Sequence, residues 1–110
     1  MSNKKTMSII YISGAITGHP PDEIWQKFEN AEKLLMAKGY EVVVNPVRLV
    51  ANTFGSDATM RHSWATIMRL CLIKLFICHE IYMLSGWQSS KEATLERYIA
   101  QQLDMDIIYG

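Results

Sequence analysis

The sequence predicts one α/β domain spanning residues 1–110, a three-layer sandwich built on a flavodoxin- or Rossmann-like parallel sheet of four to five strands. Three observations lead there. Short apolar runs rich in β-branched residues alternate with segments whose apolar residues recur at helical spacing, in the order β-α-β-α-β-α-β. That order calls for parallel strands joined by right-handed crossovers, with helices on both faces. The length, 110 residues, encloses one hydrophobic core and not two. A hydrophobic fraction of 49% and a charged fraction of 20% are ordinary globular values, and no repeat, low-complexity tract or linker interrupts the chain.

Each element has its own signal. Met7 to Ser13 is rich in β-branched residues with little alternation, as a buried strand is, and Gly14 ends it. Thr17 to Asp22 is a loop whose prolines enter a helix where a missing amide hydrogen does no harm. Ile24, Phe28, Ala31 and Leu35 repeat at helical spacing, and Gly39 supplies a left-handed stop. Glu41 to Val44 reads as the second strand, closed by Asn45-Pro46. Val47 to Thr59 has no firm period and reads as a mobile loop with at most a short turn of helix. Met60, Trp64, Ile67 and Cys71 mark the next helix. Phe76 to Met83 is strand-like, although its start is not fixed by pattern. Ser85-Gly-Trp-Gln88 breaks it. Leu95, Tyr98, Ile99 and Leu103 give the last helix, with Ser89 or Ser90 at its start, and Asp106 to Tyr109 a final short strand.

Several functional classes are disfavoured by arithmetic. Eleven basic residues balance eleven acidic ones, so the basic excess of a nucleic-acid binder or of a polybasic membrane-surface protein is missing. Three histidines and two cysteines stand far apart, a poor basis for a metal site. Cys71 and Cys78 sit in apolar surroundings and read as buried free thiols. No long apolar h-region follows Lys4 and Lys5, so no secretory signal is read. Leu70 to Leu84 is too short and too charged to span a bilayer. The chain reads as a soluble cytoplasmic protein. Gly14-Ala-Ile-Thr-Gly18 fits neither the dinucleotide fingerprint nor the phosphate loop with its lysine, so no cofactor is expected. His62 and His79 lack a serine or cysteine partner in a recognisable elbow, which disfavours a hydrolase triad.

In open parallel sheets, ligands lie beyond the carboxyl ends of the strands. Those ends here are Ser13-Gly14, Asn45-Pro46 and Ser85-Gly86-Trp87. Beside them, Ser89 and Glu92 have capping-box spacing, and free amides at that helix start suit a sugar hydroxyl or an anion. Glu92 and Glu96 lie four apart on one helix face, where two carboxylates can shift each other's proton affinity. A plainer reading keeps Glu92 as a cap and Glu96 in solvent. Trp87 suits either a stacking lid or the core. Tyr11, in a central strand, needs a partner for its hydroxyl, and a carboxylate of the last helix is a candidate.

Three blocks carry a resemblance. Ile10 to Gly18, Phe28 to Pro46 (ending Gly39-Tyr-Glu-Val-Val-Val-Asn-Pro46) and Cys78 to Glu96 together resemble the nucleoside 2-deoxyribosyltransferase-like superfamily, in particular its short bacterial and phage members of unassigned function. The resemblance implies that Glu96 is the nucleophile that attacks the anomeric carbon of a deoxyribosyl group and that Tyr11 positions its carboxylate. It implies that Ser90 bonds a sugar hydroxyl or phosphate, and that Gly14 and Trp87 wall the base pocket. With the rim residues Ser13, Asn45 and Gly86, these form the candidate site. Cleavage of an N-glycosidic bond builds oxocarbenium character that a carboxylate can stabilise or capture, giving transfer to a base or hydrolysis by water. The alternative is a non-catalytic module that senses a nucleoside or nucleotide, or an adaptor. Departures from the superfamily pattern are Ala15 for proline, His79 for aspartate and Glu92 for glycine. A carboxylate at position 92 would repel a phosphate, so a nucleoside is expected rather than a nucleotide. Seven methionines and three tryptophans on a small sheet leave apolar surface to cover, and a homo-oligomer is expected.

Overall fold

The structure, a computed structural model, describes residues 8–110. Met7, the expected first residue of the opening strand, lies outside the described residues, as do Lys4 and Lys5. Four strands, β1 (Ile9–Ser13), β2 (Val42–Val44), β3 (Glu80–Met83) and β4 (Asp106–Tyr109), form one sheet in the order β2-β1-β3-β4. Every neighbouring pair is parallel, with Ile10 opposite Val43 and Tyr11 opposite Ile81. The chain leaves β1 for β2 on one side and then returns to β3 on the other. The carboxyl ends of β1 and β3 therefore make the topological switch point.

The described residues form five α-helices: α1 (Pro21–Ala37), α2 (Pro46–Phe54), α3 (Ala58–Arg61), α4 (Trp64–Leu75) and α5 (Lys91–Gln102). Alternation along β1 divides the core. Ile10 and Ile12 pack with Ile24, Phe28, Ala31 and Leu35 of α1. Tyr11 faces the other way, into a cluster with Ile67, Cys71 and Leu75 of α4 and Ala93 and Ala100 of α5. The three layers are thus α1, the sheet, and the α4–α5 pair. Gly39, at φ 107°, ends α1: its amide reaches the Met36 carbonyl and that of Tyr40 the Leu35 carbonyl. Cys71 and Cys78 are buried and free, and burial pushes both thiols up to about 12. No helix among the described residues is long and apolar enough to cross a membrane.

The structure departs from the sequence reading in three places. The segment expected to be a loop, 47–59, holds the nine-residue helix α2 and the start of α3. Asn45-Pro46 ends β2 and starts α2 at once: the Asn45 side chain accepts from the Val47 and Arg48 amides, and proline is tolerated in the first turn. Phe76 to His79 is a helix exit and turn rather than strand. Cys71, Leu75 and Cys78 are buried while Phe76 and Ile77 face solvent in the turn after α4, and the strand begins only at Glu80. Met60, expected in the same helix as Trp64, is 87% exposed on α3, and α4 begins only after the Ser63 cap.

Candidate active site

Tyr11 and Ser13 are two residues apart on β1 and project from the same face, toward α5. On α5 the spacing of Ala93, Glu96 and Ala100 places all three on the buried side. Both alanines are fully buried, which lets the helix approach the sheet closely enough for a glutamate side chain to reach it. The Tyr11 hydroxyl donates to Glu96 Oε2 at 2.5 Å, and the Ser13 hydroxyl donates to Glu96 Oε1 at 2.7 Å. Each carboxylate oxygen therefore has one hydroxyl donor, and Glu96 is only 3% exposed.

Burial pushes the Glu96 carboxyl up to about 7; the Ser13 and Tyr11 hydrogen bonds oppose that rise, and the Glu92 charge adds to it. The Tyr11 phenol is raised well above its usual value, by burial first and then by the neighbouring Glu96 charge. The phenol thus stays a proton donor while the carboxyl changes charge near neutrality.

Glu92, one turn earlier, is held differently. Its Oε1 accepts from the Ile16 amide at 3.1 Å, the Thr17 amide at 3.4 Å and the Ser90 hydroxyl at 3.2 Å. Its Oε2 accepts from the Trp64 indole at 2.7 Å. Burial alone would raise this carboxyl, but the bonds from Trp64, Ile16 and Thr17 outweigh it and the proton affinity falls. Two carboxylates on one helix face are thus pushed in opposite directions, a pattern that characterises acid–base sites.

Both line a cavity of about 310 Å³, together with Trp64, Cys71, His19 and His62. A second chamber of about 260 Å³, largely apolar and including Trp25, Val47 and Val50, adjoins it through Ile16, His19, Thr59 and Ile67. Cavities of this size suit a small ligand.

The structure unites Tyr11, Ser13 and Glu96 and places the other candidates elsewhere. The Ser90 hydroxyl is the cap of α5, accepting from the Ala93 amide while donating to Glu92, so it is already occupied. Ser90, not Ser89, starts the helix, because Gly86 at φ 86° leads into a single 3₁₀ turn over Trp87–Ser89. The capping box expected of Ser89 with Glu92 gives way to the Glu92 contacts above. Asn45 caps α2 and donates to Glu32 Oε1 at 3.0 Å, outside both chambers. Gly86 and Trp87 line a separate cavity with Tyr109, and the Arg97 guanidinium stacks 4.8 Å from the Trp87 ring. Tryptophan 87 therefore does not wall the Glu96 cavity.

Gly14 does not line it either. A methyl group at Gly14 would stand 2.7 Å from Leu84 Cδ1 and 3.1 Å from Leu84 Cβ. The glycine serves close packing of β1 against the end of β3. Gly14→Ala is expected to lower the unfolding free energy by about 1–3 kcal/mol in urea titrations, through overpacking; an unchanged midpoint would contradict that packing role. The departure at His79 is remote as well. Its Nδ1 accepts from the Ile9 amide at 3.0 Å, at the amino edge of the sheet. A phenol–carboxylate pair also lies at that edge, where the Tyr40 hydroxyl donates to Glu80 Oε1 at 2.7 Å. Neither residue lines the Glu96 cavity.

Sequence reasoning missed Trp64, His19 and Cys71 as cavity walls and the Ile16 and Thr17 amides as donors. A signal for Trp64 existed. A crossover helix runs antiparallel to its strands, so the first turn of α4 lies at the carboxyl rim.

A Rossmann-like α/β domain with a phenol- and serine-held glutamate at the carboxyl edge of its central strand is the class that fold and site define. The chain belongs to the family described as domain of unknown function DUF4406, whose model matches residues 8–109. No curated protein matches it.

Proposed function

We propose that this protein cleaves the N-glycosidic bond of 2′-deoxynucleosides through Glu96, passing the deoxyribosyl group to a second base or to water. The observation that carries the reading is the Tyr11–Glu96–Ser13 arrangement, a nearly buried carboxylate held at both oxygens on the wall of a cavity. The resemblance to the nucleoside 2-deoxyribosyltransferase-like superfamily, in which Glu96 takes the nucleophile's position, supports the same reading.

Ionised Glu96 attacks C1′ as the C1′–N bond breaks; the bonding pair leaves with the base, whose nitrogen takes up a proton. His19 lines both chambers and is the side chain nearest to hand for that proton transfer. The second half reverses the first: a base nitrogen or a water oxygen attacks C1′, the carboxylate departs, and the proton the nucleophile loses returns to the group that supplied the first. Hydroxyl donors on both oxygens fix the carboxylate's orientation and moderate its basicity. The pentose sits beside Glu96, and the adjoining apolar chamber suits the flat heterocycle.

Free base measured after incubation with a panel of 2′-deoxynucleosides tests the proposal. Release above the solvent background is expected, and a background rate on every substrate would overturn it. Saturable binding without release would instead favour the sensing module, a reading supported by hydroxyl bonds that already occupy both Glu96 oxygens.

A further inference from the structure

We infer that Glu92 is a specificity-determining residue: its carboxylate fills an anion-binding nest that would otherwise accept a phosphate, so the cavity admits a ligand with a neutral sugar end and excludes a 5′-phosphate. The substrate consequence rests on the function proposed above, whereas the occupied nest stands on geometry alone.

Four donors from three parts of the chain converge on this one carboxylate. The Ile16 and Thr17 amides come from the loop after β1, the Ser90 hydroxyl from the α5 cap and the indole N–H from the first turn of α4. The Ile16 and Thr17 amides are successive and converge on one oxygen, in a turn that continues into Gly18 at φ 85°, and converging amides of a turn are a backbone means of binding an anion. The start of the twelve-residue helix α5 adds its dipole. Backbone amides beside a helix start are a setting that can bind a phosphate. Here an internal carboxylate takes all four, is 5% exposed, and holds its proton less tightly than a free glutamate.

A second observation is independent of the nest. Among the described residues lining the cavity there are two carboxylates, Glu92 and Glu96, and no lysine or arginine. Lys91 packs its ammonium on the Trp64 ring, 4.0 Å from the ring centre, and does not line the cavity. A phosphate placed there would meet the Glu92 charge, no lysine or arginine in the lining to offset it, and amides already bonded to that carboxylate. A ligand hydroxyl meets the reverse: Glu92 Oε2 carries one donor, the indole, and retains capacity to accept a second.

The test has two arms. In the first, inorganic phosphate is titrated into the ¹⁵N-labelled wild type, Glu92→Ala and Glu92→Gln while the Ile16 and Thr17 amide resonances are followed. No saturable shift is expected in wild type, and a saturable shift at both amides is expected in Glu92→Ala. Saturation at those amides in wild type, or its absence in a folded Glu92→Ala, would overturn the inference. In the second, binding of a 2′-deoxynucleoside is compared with that of its 5′-monophosphate. Wild type is expected to favour the nucleoside, and Glu92→Ala to shift the ratio toward the monophosphate by about tenfold or more.

If Glu92→Ala does not fold, Glu92→Gln decides. It keeps an acceptor for the amides but loses the charge, so a smaller shift toward the monophosphate is expected and an unchanged ratio is contrary. Phosphate capture by Glu92→Ala with no nucleoside binding would leave the nest account standing and remove the proposed function. Base release by a wild type that takes the monophosphate equally well would do the opposite.

Discussion

Glu96→Gln is expected to abolish base release, by on the order of 10³-fold or more, and at the same time to remove a pH-dependent weakness in the fold. The first effect follows because an amide is neither a nucleophile toward C1′ nor a counter-charge for an oxocarbenium ion, although it fills the same volume. The second follows from proton linkage. The folded protein holds the Glu96 proton up to about 7, against an ordinary value of 4.5. Between those values the native state binds a proton that the unfolded chain has released. Stability is therefore fully present below about 4.5, falls as pH rises through the window, and stops falling above about 7. The whole change amounts to about 3 kcal/mol. Urea denaturation of wild type and variant from pH 4 to 8 isolates this contribution, since other groups titrate alike in both. Wild type should lose stability relative to Glu96→Gln across the window. Parallel curves, or a variant that still releases base, would contradict the assignment.

Tyr11→Phe is expected to move the acid limb of the pH–rate profile. If ionised Glu96 is the working form, kcat/KM rises with pH through about 7 in wild type. The Tyr11 hydroxyl lowers the carboxyl's proton affinity by donating to its charged form, so its removal raises that affinity. The limb should shift upward by about one unit, giving a loss of about fivefold at pH 7 that approaches about tenfold in acid and vanishes in alkali. Phenylalanine keeps the ring packing, while a buried oxygen loses its donor at a cost of about 1–3 kcal/mol. A uniform rate loss with an unmoved limb would mean that the phenol acts only through packing.

Much of the fold was legible because its signals are local. The β-branched runs before Gly14 and Asn45, the Ile24–Phe28–Ala31–Leu35 spacing and the Gly39 stop each report their own element. Element order then dictates a parallel sheet. What the pattern concealed lay where one residue serves two purposes. Asn45-Pro46 reads as a strand terminator and is also a helix start, so α2 was invisible behind it. Phe76-Ile77 reads as strand because both are apolar, yet both face solvent.

The Tyr11–Glu96 contact was legible in the sequence, and the orientations of the rim residues were not. Tyr11 needed a partner for its hydroxyl, and Glu96 lay on the helix able to supply it; alternation on β1 then brings in Ser13. Proximity to the carboxyl edge does not say which way a side chain turns. Ser90 turns into its own helix cap, Asn45 into α2, and Trp87 toward Arg97 and Tyr109. The contacts of Glu92 join segments far apart in sequence, and no spacing rule reports a carboxylate held by a distant loop and an indole.

The most direct test of the Glu96 assignment is the intact mass of the protein after mixing with a 2′-deoxynucleoside and rapid acid quench. The account predicts a fraction of molecules heavier by one deoxyribosyl unit, with the added mass on the peptide containing Glu96 and absent from Glu96→Gln. Base release by wild type with an unmodified protein at every quench time, or with the added mass on another side chain, would contradict it.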